Sequence, residues 1–172
     1  NTVHTILEEI FQRHEKQLEE KHIRIYKKFE KDLPETILHD EHLRYILNAL
    51  LQYALPSIPP AGSIGFLTRS LDPLRRADEN ETVAEKNGRW IEILIVYTGY
   101  RKWVESFESP PRPSPTDQER RIELELRLVR EMIQKNQGTM KFAVNEKSSR
   151  TSIFLRFPVE RREVVYYPPA SA

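Results

Sequence analysis

Five histidines, His4, His14, His22, His39 and His42, are the side chains best suited to acid–base work or metal binding near neutral pH. Their spacing argues against both. No two of them stand at i, i+4 and none belongs to an acid-bearing ligand set, so they read as surface or partly buried histidines. Glu8-Glu9 and Glu19-Glu20 read as solvated helix charges rather than acid/base pairs. The absence of cysteine removes thiolate nucleophiles, thiolate metal sites and disulfides. Three other groups remain. Asn48, Ala49, Gln52 and Tyr53 share a helical stretch with two amides. Tyr97-Thr98-Gly99-Tyr100-Arg101 follows a strand-like run, and its glycine would let backbone approach a ligand closely. Glu123-Leu124-Glu125-Leu126 puts two carboxylates at the start of a long helical pattern. No catalytic residue and no metal ligand is assigned from these groups.

The elements that must position them begin at residues 42–64. Leu43, Ile46, Leu47, Leu50, Leu51 and Ala54 recur at three- and four-residue steps, which gives a helix one broad apolar face. Pro56, Pro59 and Pro60 then stop it, Gly62 permits a tight turn, and residues 63–70 read as a strand. Upstream, residues 3–21 predict one helix, interrupted in its apolar period by His14 and capped by Thr2 or Thr5. Residues 22–29 predict an edge strand, with Ile23, Ile25 and Lys27 on the side opposite Arg24, Tyr26 and Lys28. Asp32-Leu33-Pro34 is a turn, residues 35–39 a second strand, and Asp40 the N-cap of the helix that follows.

Downstream, residues 71–88 predict a polar loop, and residues 89–97 (RWIEILIVY) a central strand because they are apolar almost throughout. SPPRPSP (residues 109–115) is a stiff spacer rather than a partner-binding motif, and Trp90 and Trp103 read as packing residues. A helix follows over about 118–136, ended at Gln137-Gly138 by a left-handed cap, then a hairpin of residues 139–145 and 151–157. The expected fold is α+β: a two-layer α/β sandwich, a mixed sheet with three main helices on one face. The domain is expected over 1–159, with a tail over 160–172.

Composition narrows the partners. The 172 residues suffice for one substantial core. Lys and Arg number 27 against 26 Asp and Glu, so the net charge of +1 gives no field for nucleic acid or an anionic membrane. No apolar run approaches the ~20 residues that span a bilayer. A cytoplasmic setting is expected, and Asn1 is read as the start of an excised piece whose missing upstream part could carry an anchor.

The order of elements, with several segments inside it, resembles the ATP-binding catalytic domain of bacterial sensor histidine kinases. That is the Bergerat-type (GHKL) fold shared with gyrase and MutL-type ATPases. Residues 6–34 resemble the family's opening helix and strand, and Asp40, Leu43, Arg44 and residues 46–51 its asparagine-box helix. PPAGSI (residues 59–64) resembles the Pro-x-Gly-Gly turn, and IEILIVYTGY (residues 91–100) the strand into the first glycine box. WVESFES (residues 103–109) resembles the phenylalanine box, and LRLVREMIQKNQGTMKF (residues 126–142) the helix after the second glycine box.

The resemblance implies a nucleotide site, and this chain departs from it at each box. The acid that receives the adenine amino group falls on Tyr97; Gly99 is kept, and the next glycine is Arg101. Ala49, Gln52 and Tyr53 fall on the first Asn, the acid and the second Asn, with Asn48 about 100° around the helix from the first. Pro56 stands where a Lys often follows. Glu123 and Glu125 replace glycines whose bare N–H groups would cradle phosphate. A carboxylate facing phosphate costs roughly 4 kcal/mol per charge pair at 4 Å and an effective dielectric of 20.

The resemblance therefore implies a module of two-component signalling that has lost nucleotide chemistry, a pseudokinase with no cofactor. Its expected partners are the upstream dimerisation and phosphoacceptor helices of the same protein, and a response regulator. The alternative is an active kinase domain that holds ATP and Mg2+ through Tyr97, Gly99, Asn48 and Gln52. A third reading is a histidine phosphotransferase with a vestigial ATPase domain.

Overall fold

The computed structural model describes residues 1–72, 88–100 and 117–160. Expectations for the polar loop, the phenylalanine-box segment, the proline-rich spacer, Arg101, Trp103 and residues 161–172 lie outside the described residues.

Helix α1 (Thr2–Arg13) and the short α2 (Glu15–Glu20) stand where one helix was expected. The cause is His14. Its Nδ1 donates back to the Ile10 carbonyl at 3.1 Å, and its own φ and ψ of −105° and 8° leave helical geometry. The cap of α1 is Asn1 rather than Thr2 or Thr5; its side-chain oxygen accepts from the Val3 amide at 2.8 Å. Strand β1 (Arg24–Phe29) leads to a stretch that was expected to be a strand over 35–39. Only Thr36 forms a bridge there, opposite Val159. Two backbone bonds make that bridge, from the Ile37 amide to the Pro158 carbonyl at 3.2 Å and from the Glu160 amide to the Glu35 carbonyl at 2.9 Å. The Thr36 hydroxyl adds to it by donating to the Pro158 carbonyl at 3.0 Å and accepting from the Leu38 amide at 3.3 Å.

Helix α3 (Asp40–Ala54) buries the predicted apolar stripe. Its cap is His39, one residue before the expected Asp40. The extended His39 backbone lets its Nδ1 accept from the Glu41 amide at 3.3 Å, which leaves Asp40 and Glu41 in the first turn, favourable to the helix dipole. A 3-10 turn, Leu55–Ser57, holds Pro56 and ends the element. Strands β2 (Ser63–Leu71) and β3 (Trp90–Thr98) follow, then α4 (Asp117–Lys135), β4 (Thr139–Asn145) and β5 (Arg150–Pro158). At the end of α4, Gln137 takes the left-handed conformation at φ 61° and Gly138 donates to the Ile133 carbonyl at 2.9 Å.

The described strands form one mixed sheet in the order β1-β2-β3-β5-β4, parallel only between β1 and β2. The near-continuous apolar run of β3 is central, and lysine-bearing β1 is an edge, as their patterns predict. Register places Ile64, Tyr97 and Thr151 in one row and Phe66, Ile95 and Ile153 in the next. Every strand residue of the core comes from this side of the sheet, and α1, α3 and α4 cover it. This is the two-layer α+β sandwich with its helices on one face.

The other side of β3 is ionic. Glu92 is 1 % exposed and accepts from Arg69 Nε at 2.7 Å and from Arg156 Nε at 2.9 Å, one partner on each neighbouring strand. Trp90 packs as its reading implied, buried on this side rather than under the helices, and among the described residues its Nε1 has no hydrogen-bond partner.

Candidate nucleotide-site region

Helical spacing divides the α3 candidates. Ala49 and Tyr53 are four apart, share a stripe and are buried; Gln52 points to solvent; Asn48 is half-buried. Tyr53 meets Phe142 of β4 edge to face, with ring centroids 5.9 Å apart. Asn48 Oδ1 lies buried with no hydrogen-bond partner. Such a group costs about 1–3 kcal/mol to leave unpaired.

Strand alternation turns Tyr97 to the helix-covered side, between Ile64 and Thr151, where it is 2 % exposed. Gly99 follows with φ of 103°, a conformation that side chains rarely adopt. A β-carbon on Gly99 would overlap the Ser57 carbonyl oxygen. Glycine therefore lets the end of β3 press against the 3-10 turn that closes α3. Gly99 is fixed from its other side as well: its amide donates to the Ser149 carbonyl at 2.6 Å, and its carbonyl accepts from Thr151 Oγ1 at 2.7 Å. Thr98 Oγ1 lies 3.1 Å from both the amide and the hydroxyl of Ser63.

Glu123 and Glu125 lie inside α4, six and eight residues past its first residue, and both are half-buried. Helix α4 packs directly on α3. The structure thus gathers the α3 positions and the end of β3 through Gly99, and it sets α4 against α3. It does not bring the histidines into this group. His4 and His14 belong to α1 and its end, His22 precedes β1, and His39 and His42 open α3 with rings 5.8 Å apart. Among the described residues, no three His, Asp or Glu side chains are placed to hold a metal ion.

Sequence reading missed the residues that grip Gly99: Ser57, Ser149 and Thr151. The available signal was weak, since Thr151 is only a hydroxyl in an otherwise apolar inward row. It missed Glu92 too, although a lone acid within an apolar strand is a recognisable flag.

No family model matches the sequence, and no curated protein matches it. Solved structures do. The chain superimposes on the catalytic domain of histidine kinase ThkA with a TM-score of 0.68 and 13% identity, over 92% of this chain and 95% of that one. The mycobacterial sensor histidine kinase MprB gives 0.58 and 18%, over 94% and 95% of the two chains. Full-length ShkA, whose crystal structure is a complex with AMPPNP, gives 0.65 and 16%, over 92% of this chain and 30% of that one. The fold is that of histidine kinase catalytic domains.

Proposed function

We propose that this chain is the ATPase-like module of a two-component sensor, and that it signals through protein contacts without binding nucleotide. The observation that supports this most is Tyr97. The position that the resemblance gives to an adenine-binding acid holds a phenol ring only 2 % exposed, packed in the core row of the sheet. An adenine there would have to displace a large buried aromatic ring, whose loss from a core costs about 3–5 kcal/mol. The phosphate end fits no better. Glu123 and Glu125 present carboxylates in regular helix where bare backbone would be needed. Gln52 offers an amide where a carboxylate base would stand, and an amide cannot accept a proton at neutral pH. Mg-ATP therefore has neither its adenine acceptor nor its base. The partners of this reading are the phosphoacceptor helices of the same protein, with a response regulator as the outward contact.

One observation favours a second reading. Asn48 Oδ1 is buried and unpartnered, and a cation or a ligand donor would satisfy it. In that case the site is remodelled and still holds Mg-ATP through Asn48 and Gln52. Calorimetric titration with Mg-ATP separates the two. The proposal expects no binding heat and no thermal shift, whereas ATP at about 100 times its dissociation constant would add about 2.7 kcal/mol. Micromolar binding that disappears in Asn48→Ala would overturn the proposal and establish the remodelled site.

A further inference from the structure

Strand β1 is an edge strand, and its backbone has one open side. The Arg24 amide donates to the Gly62 carbonyl and the Glu30 amide to the Thr68 carbonyl. In a parallel ladder alternate residues face the neighbour, so residues 24, 26, 28 and 30 turn their backbone groups to β2. Ile25, Lys27 and Phe29 turn theirs outward, and no described strand pairs with them. An open edge of this kind is a template for a further strand.

A groove of about 900 Å³ runs beside that edge, between β1 and the α1–α2 pair. Its floor is apolar: Phe11, Leu18 and Ile23 are buried, and Ile25 remains 38% exposed. Its rim is acidic, with Glu8, Glu15 and Glu19. Lys27 already occupies one part of it. Its ammonium pairs with Glu8 at 2.7 Å and sits 4.6 Å over the Phe11 ring, a worked example of how a cation with an aliphatic stem fits this groove. Glu15 and Glu19 are exposed and have no ion pair among the described residues. They are four apart on α2, so they repel each other, and Glu19 and Glu20 end that helix where its dipole disfavours anions. Glu15 is favoured by its place in the first turn of α2, whereas Glu19 is disfavoured by the dipole at the helix end, and a cation docked beside the pair would relieve their repulsion. The opposite side of β1 carries Arg24, Tyr26 and Lys28.

We propose that the β1 edge is a docking site for an extended peptide strand of a partner protein. Its inward row consists of arginine or lysine side chains, and its outward row of hydroxyl or acidic ones. The peptide backbone bonds to Ile25, Lys27 and Phe29. The long inward side chains lay their stems along Phe11 and Ile25 and bring their charges to Glu15 and Glu19. The outward row faces Arg24 and Lys28. At about 3.3 Å per residue the six residues of β1 accommodate a strand of similar length. This site is independent of the nucleotide question, since no residue of it belongs to the α3–β3–α4 region.

A fluorescein-labelled heptapeptide of alternating threonine and arginine is the probe, titrated against the full chain by anisotropy at low salt. Saturable binding is expected, weakened at least about tenfold by Glu15→Lys with Glu19→Lys, and weakened again by added salt. Ile25→Pro removes an outward-facing donor that an edge strand can lose without unfolding, and it should abolish binding. A thermal melt checks that this variant is folded. If it is not, the same peptide N-methylated at alternate residues carries the backbone test and should not bind. Equal binding of a threonine–glutamate peptide, or unchanged binding of the N-methylated one, would overturn the proposal. So would a dimer of this chain that Ile25→Pro dissociates, because a second copy would then be the occupant.

Discussion

Helix α3 has two flanks under different physical rules. On one, Leu43, Ile46, Leu47, Leu50, Leu51 and Ala54 are all 1 % exposed or less and belong to the same core as Ile91, Ile93 and Ile95. On the other, Gln52 reaches solvent and Asn48 carries a buried oxygen with no partner. The first flank is fully satisfied, so nothing beyond folding is needed to account for it. The second carries a defect that folding alone would remove. Ala49 and Tyr53 lie at the boundary: both are packed, although the resemblance gives their positions to ligand-binding side chains. The contrast teaches that a helix can keep the fold-determining part of its pattern while its site-determining part is rewritten, because the two lie on different stripes.

The largest effect should come from the packed flank. Leu47→Ala removes a fully buried side chain and leaves a cavity, so stability should fall by about 2–5 kcal/mol in urea unfolding. Gln52→Ala, five residues along the same helix, should stay within about 0.5 kcal/mol of the parent. Similar losses in both variants would mean that the second flank is covered by structure too, and the contrast would collapse.

Much of the packed flank was legible because hydrophobic period is a property of the chain itself. The α3 stripe and the apolar run of β3 mark what is buried, and the alternation of Ile25 with Tyr26 marks the two sides of β1. What was not legible depends on single polar contacts. His14 breaks the first helix through one bond to Ile10, the would-be strand at 35–39 shrinks to a single bridge that the Thr36 hydroxyl reinforces, and His39 takes the capping role from Asp40. None of these alters a hydrophobic pattern. The place of Tyr97 and Gly99 at a strand end was legible too. The reason Gly99 must be glycine was not, because the Ser57 carbonyl that it touches is distant in sequence and leaves no local trace.

A smaller effect, of opposite sign, should come from the second flank. Asn48→Ala deletes the orphaned acceptor and improves helix propensity, while losing only a half-buried side chain. The midpoint of thermal unfolding should rise, by an amount equivalent to about 1 kcal/mol. A fall would show that the oxygen is satisfied in solution, and the distinction between the flanks would then rest on exposure alone.

The smallest expected effect is a test of how uniform the packed side is. His4 of α1 brings a titratable ring into it: Nε2 lies 2.8 Å from Thr68 Oγ1, and the ring stacks on Phe29 with centroids 4.7 Å apart. Burial holds its pKa below the ordinary 6.5, the terminal ammonium of Asn1 pushes the same way, and Glu35 partly opposes them. A depressed folded-state value means that the unfolded chain binds the proton more readily. The contribution of His4 is therefore fully present above the unfolded value of 6.5 and is lost as pH falls through the folded one. His4→Gln keeps a polar group near Thr68 and removes the titration. Urea unfolding of both proteins from neutral to mildly acidic pH should show the parent losing stability faster below 6.5. Parallel curves would mean that His4 titrates as it does in the unfolded chain. Its place on the packed side would then cost the charged ring nothing, and the contrast with the Asn48 flank would be sharper at this position.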